Sequence, residues 1–152
     1  MREEHILFLV LKSLGREIDA PSDTGCTLTM TSGKHYDYVK SRKAVAYTHF
    51  GKALPVSFAE EGKSLYAVGL AEIPFEFTGT CGRQVTVWLD VLVVPGLAWD
   101  LLLGQNHLAA MDVVTEHNER VQTFRAEAFG GLRVQCPRRA PIPHKALRGG
   151  AG

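Results

Sequence analysis

Short runs of β-branched and aromatic residues, cut by turn formers at close intervals, constrain this chain more than any other feature. Ile6 to Leu11, Val45 to Phe50, Leu54 to Ala59, Leu65 to Leu70, Ile73 to Phe77, Val85 to Val94, Val113 to Thr115 and Val121 to Phe124 read as strands. Ser13-Leu14-Gly15, Glu61-Gly62, Thr78-Gly79 and His117-Asn118 punctuate them. This spacing predicts an all-β sandwich or small barrel. One short helix is expected, at Gln105 to Met111, where Leu108 and Met111 stand at i, i+3 and Ala109 and Ala110 favour the helix. No internal repeat is present, so the chain reads as one lobe rather than two fused halves.

Length and charge narrow the function classes. At 152 residues with 45% hydrophobic content, the chain can bury one real core. A formal net charge of +1 argues against a chain built mainly for nucleic acid. Beyond Glu127 there are no acids, whereas Arg133, Arg138, Arg139, Lys145 and Arg148 are basic and Pro137, Pro141 and Pro143 interrupt them. We therefore expect a domain over 5–127 and a basic Pro/Gly-rich tail over 128–152, with linker character from about residue 133. Cys26, Cys81 and Cys136 show no ligand spacing and fit free thiols in a reducing, cytoplasmic compartment. Ile6 to Leu11 is too short to span a membrane and lacks a cleavage site, so neither secretion nor membrane insertion is expected. The scattered histidines carry no HExxH or paired spacing, and no metal or cofactor is expected.

The residues that carry chemistry are Asp23-Thr24-Gly25. An acid on a tight glycine turn, with a small hydroxyl beside it, suits hydrolysis by paired carboxylates, in which one acid holds a proton for the carbonyl while the other activates water. One Asp cannot do both jobs. A chain with a single Asp-Thr-Gly and the length of one lobe would obtain the second carboxylate from a symmetric homodimer. The competing reading is a surface β-turn, since Asp and Gly are leading turn residues.

A second segment gives the tripeptide its context. Val91 to Leu108, with Pro95-Gly96, Leu102-Leu103-Gly104 and the short helix after it, resembles the second signature of retrotransposon and retrovirus-like aspartic proteases, the retropepsin family. Val56 to Leu65, followed by Val68-Gly69 and Ile73-Pro74-Phe75, is similar to that family's flap hairpin. Thr115 to Phe124 is similar to its closing hairpin. The resemblance covers about Ile6 to Phe124 in family order. It implies a retropepsin-like closed β-barrel or sandwich lobe with one short helix, acting as a homodimer. Asp23 would be the catalytic carboxylate, Thr24 the grip across the dimer and Gly25 the turn. Leu102, Leu103 and Gly104 would support the active-site loop from beneath. Glu60, Glu61, Gly62 and Lys63 would lie at the flap and bind an extended polypeptide, which in the family is a polyprotein matured within a virus-like particle.

The chain departs from the pattern just before Asp23. Pro21 and Ser22 stand where the family has large apolar residues ending a buried strand, and proline is disfavoured inside a central strand. This feature favours the alternative function, a catalytically degenerate or domesticated retropepsin-like domain serving as a peptide-binding or dimerisation module. The stretch from Gly33 to Phe50 is longer than in compact viral enzymes and fits the transposon type.

Overall fold

The computed structural model describes residues 7–23, 25–56, 64–117 and 122–136. Strands β1 (Leu7–Ser13) and β2 (Arg16–Ser22) form a hairpin in register from Ser13↔Arg16 to Leu7↔Ser22. Its two-residue turn has positive φ at both Leu14 (50°) and Gly15 (83°). That geometry matches the right-handed twist of the strands it joins, and Gly15 reaches it without the strain a Cβ would add.

The remaining strands assemble on this hairpin. After β3 (Met30–Ser32) and helix α1 (Gly33–Arg42) come β4 (Tyr47–Val56), β5 (Leu65–Thr78) and β6 (Gln84–Val94). Then follow β7 (Leu101–Leu102) and helix α2 (Gln105–Ala110). The sheet runs β2-β1-β5-β6-β3-β7, with β4 paired to β5 beside the β1 edge. The last strands, β8 (Val113–His117), β9 (Gln122–Ala126) and β10 (Leu132–Cys136), form a second, three-stranded sheet in the order β10-β9-β8.

Alternation along the long β5–β6 hairpin builds the core. Ile73, Phe75 and Phe77 of β5 and Leu89, Val91 and Val93 of β6 are buried, while their neighbours Glu72 and Asp90 face solvent. The small sheet closes one side of this core, with Phe124 stacked on Phe77 at a centroid distance of 6.0 Å. A second apolar cluster, including Phe8, Cys26, Met30, Val94 and Leu102, lies under the loop that follows β2.

Several expectations are corrected. The strands do not form a closed barrel: the sheet path is open, and its outermost strands meet only through the single parallel bridge Ser22↔Leu103. Among the described residues there are two α-helices, where one was expected. Helix α1 was missed because it has no aliphatic stripe; only His35 and Val39 are buried, one turn apart. Its start is nevertheless well made, with Ser32 Oγ accepting the His35 N–H at 3.0 Å. Strand β10 falls within the stretch expected as tail, with Leu132, Val134 and Cys136 buried against the core and pairing through β9. The tail expectation over 137–152 lies outside the described residues.

Pro21 also finds an explanation. It sits in β2, the outer strand of the sheet path, opposite Phe8. Its carbonyl points away from β1 and accepts the Leu103 N–H at 2.9 Å. A strand residue's nitrogen and carbonyl share a side, so the donor that proline lacks is missing from the outer edge and no β1 ladder bond is lost.

Candidate active site

Asp23 stands where the two ends of the large sheet touch. Leu103 binds the β2 end by two main-chain bonds, donating to Pro21 O and accepting from Asp23 N, each at 2.9 Å. Asp23 is only 4% exposed, and its Oδ1 accepts the Gly25 N–H at 2.9 Å, an Asx turn that fixes the carboxylate against its own loop. Cys26 N closes the turn on Asp23 O at 3.0 Å.

The loop from Asp23 to Thr29 is then fastened to the start of α2. The first N–H groups of a helix lack intrahelical partners. Here Gln105 N donates to Cys26 O at 2.7 Å and Asn106 N to Thr27 O at 3.0 Å, so loop carbonyls satisfy them. Thr29, 1% exposed, ends the loop. Its Oγ1 accepts from Gly104 N at 2.9 Å, while its own N–H donates to Asn106 Oδ1 at 3.1 Å. Gly104 is required by this close approach. A Cβ there would press on the Leu28 carbonyl, 2.6 Å from its oxygen and 2.8 Å from Thr29 N.

An apolar cleft of about 290 Å³ opens beside the loop. Gly25, Cys26 and Leu28 form one wall, Leu54 and Val56 of β4 the other, and Leu92 of β6 contributes to its lining. Leu28 and Leu54 are 45% and 49% exposed, an uncommon use of large aliphatic side chains unless something covers them. A larger groove of about 550 Å³, lined by Tyr36, Tyr47 and Pro95 among others, contains no residue of the 23–29 loop. Lining by the loop that carries Asp23, rather than volume, identifies the cleft of interest.

A second polar network braces the sheet behind α1. Arg16 pairs with Asp100 at 3.2 Å and donates to His35 Nδ1 at 3.1 Å. His35 Nε2 then donates to Ser13 Oγ at 2.9 Å, and Ser13 donates to Pro74 O at 3.0 Å. Burial drives the His35 pKa down to about 4, against the pull of Asp100 and with help from Arg16. The ring is therefore a neutral structural group.

Of the residues singled out from sequence, the structure brings Asp23 and Gly25 together with Leu102, Leu103 and Gly104. Thr24 and the group Glu60, Glu61, Gly62 and Lys63 lie outside the described residues. Strands β4 and β5 that flank the latter pair antiparallel, with Val56 opposite Leu65. The sequence assigns no role to Thr29, Leu28, Met30 or Leu54, nor to Val56, Leu92 and His107 within the segments that resemble the flap and the second signature; Thr29 and His107 meet only through contacts distant in sequence. Among the described residues no group of three His, Cys, Asp or Glu could hold a metal ion.

No family model matches the sequence, and no curated protein matches it. Among solved structures, the chain is similar to the retroviral protease-like domain of Ddi1 from Leishmania major, with a TM-score of 0.59 and 14% identity. The match covers 93% of this chain and 98% of that domain. The fold is thus retroviral protease-like.

Proposed function

We propose that the chain is an aspartic endopeptidase that works as a homodimer, with Asp23 of each copy supplying one carboxylate of a shared dyad. One observation carries this reading: a buried aspartate, held at its main chain by Leu103 and at its carboxylate by Gly25, begins the loop whose Gly25, Cys26 and Leu28 line an open apolar cleft. Two such carboxylates brought together share one proton. The protonated one polarises the scissile carbonyl while the ionised one takes a proton from the attacking water. The outer edge of β8 has no strand partner among the described residues and offers a second copy a place to pair.

The substrate is a polypeptide bound extended between the loop and the β4–β5 hairpin, recognised through its main chain with apolar side chains seated against Leu28, Leu54 and Leu92. Residues 57–63, with Glu60 to Lys63, would act as the flap that excludes water. Polyprotein processing of the retroelement kind is the natural setting for such an enzyme. Pro21, the residue that favoured a degenerate module, breaks no ladder bond to β1 and leaves Asp23 held by Leu103.

Hydrolysis of fluorescently labelled casein at mildly acidic pH, with and without pepstatin, tests the reading alongside sedimentation at several concentrations. Wild type should dimerise and cleave, and Asp23→Asn should dimerise without cleaving. Equal cleavage by both would refute the assignment. A folded dimer that cleaves nothing would favour the binding-module alternative.

A further inference from the structure

We infer that His107 is a positioning residue for the loop that carries Asp23, acting through Thr29; the inference rests on the endopeptidase reading for its catalytic consequence, though not for its geometry. Thr29 Oγ1 lies 2.7 Å from His107 Nδ1, 3.2 Å from Asn106 Oδ1 and 2.9 Å from Gly104 N. The hydroxyl has one proton for these neighbours. Gly104 N is a donor, so Oγ1 accepts there, and Asn106 Oδ1 can only accept. If Nδ1 also accepted, the single proton would go to the ring, and two bare oxygens would face each other at a site where Thr29 is 1% exposed. The arrangement closes when Nδ1–H donates to Oγ1 and the Thr29 proton goes to Asn106 Oδ1. His107 is thereby assigned the Nδ1–H tautomer.

The consequence for the site follows from where Thr29 sits. The loop begins with Asp23 bonded to Leu103 O and ends with Thr29 bonded to Gly104 N, so both ends hang on two adjacent residues. Removing the His107 donor leaves Thr29 Oγ1 short of one bond and frees its hydroxyl to rotate off Asn106. The far end of the loop then loosens while Asp23 and the cleft walls remain chemically intact. Because Nδ1 keeps its proton in both the neutral and the charged imidazole, the brace does not depend on the ring's charge. Burial lowers the His107 pKa, with Asp90 opposing, so the ring leans neutral in any case.

The full chain carrying His107→Leu or His107→Asn tests this, since the Asn amide can place its N–H where Nδ1–H stood. Nitrogen NMR of the wild-type ring should show the Nδ1–H tautomer, and hydrogen exchange at the Gly104 amide should speed up in His107→Leu and recover in His107→Asn. With labelled casein, His107→Leu should lose about tenfold in kcat at unchanged KM, while His107→Asn stays near wild type with a rate ratio flat across pH. A ring in the Nε2–H tautomer, or Gly104 exchange unchanged in His107→Leu, would overturn the inference. So would an active His107→Leu enzyme with wild-type kcat. A wild type that cleaves nothing would refute the endopeptidase reading instead, and the exchange measurement would still decide the brace.

Discussion

Acidification should destabilise this fold chiefly through His35, whose pKa is depressed to about 4. The ring is 0% exposed, wedged between Tyr38 and Phe75, with Arg16 donating to Nδ1 and Ser13 accepting from Nε2–H. Protonation would set a new Nδ1–H against the Arg16 guanidinium. Its folded pKa is about 4 against 6.5 for a free imidazole. The unfolded chain therefore binds more protons between these values, and stability falls as pH drops through that window. A shift of this size corresponds to about 3 kcal/mol once pH is below 4, with about 2 kcal/mol of it lost between pH 7.5 and pH 5. Asp100, which faces the ring through Arg16, pulls the other way and is already included in that balance.

Urea denaturation of wild type and His35→Gln across pH 7.5 to 4.5 measures the effect. Gln offers an amide near the Nε2 position without a titrating group, so it should be less stable than wild type at pH 7.5. The gap should narrow by about 2 kcal/mol on going to pH 5. A difference between the two proteins that stays constant with pH would refute the reasoning. The result bears on the proposed function, because the carboxylate dyad it requires would favour mild acid while the scaffold weakens there. The acid limb of any activity profile would then mix dyad protonation with unfolding, and His35→Gln would separate them.

Gly104→Ala should destabilise the fold by about 2 to 4 kcal/mol and widen the loop, because the added Cβ meets the main chain of Leu28 and Thr29 rather than a side chain that can swing aside; a melting temperature within a degree of wild type would refute this. Ending the chain after Phe129 removes β10 and uncovers Phe124 and the core beneath Leu132 and Val134, so that form should fail to fold.

Much of the fold was legible because its strands carry their own pattern. The β5–β6 hairpin alternates buried and less buried residues through Ala67–Ile73 and Leu89–Val93, and Leu14-Gly15 announces a tight turn. Helix α1 was illegible because its inward face is built on a histidine and a valine, and a histidine facing a core looks like any polar residue in a list. Strand β10 was hidden by composition: its Arg133 and Gln135 alternate with buried Leu132, Val134 and Cys136, but the prolines and arginines beyond it made the whole stretch look like a linker. At the site, Asp-Thr-Gly and Leu-Leu-Gly could be read as motifs. Thr29 and His107 could not, since their meaning depends on three hydrogen-bond distances between segments about 80 residues apart.

The topology explains why the site arises where it does. Strand β3 lies parallel to β6 and antiparallel to β7, so the chain leaving the β2 edge must enter the sheet between two strands that come much later. The loop that makes this passage carries Asp23, and the later strands fix it from both sides: β7 and Leu103 at its start, Gly104 and α2 at its end. A loop so held cannot be ordered before β6, β7 and α2 are in place, because nearly all of its bonds to other segments are to residues 103–107. Formation of the site is therefore coupled to completion of the fold, whereas its loss need not be. Substitutions in 103–107 that spare the buried side chains can release the Asp23 loop and leave the β5–β6 core standing, and such variants would keep the retroviral protease-like fold while losing the geometry that the proposed hydrolysis requires.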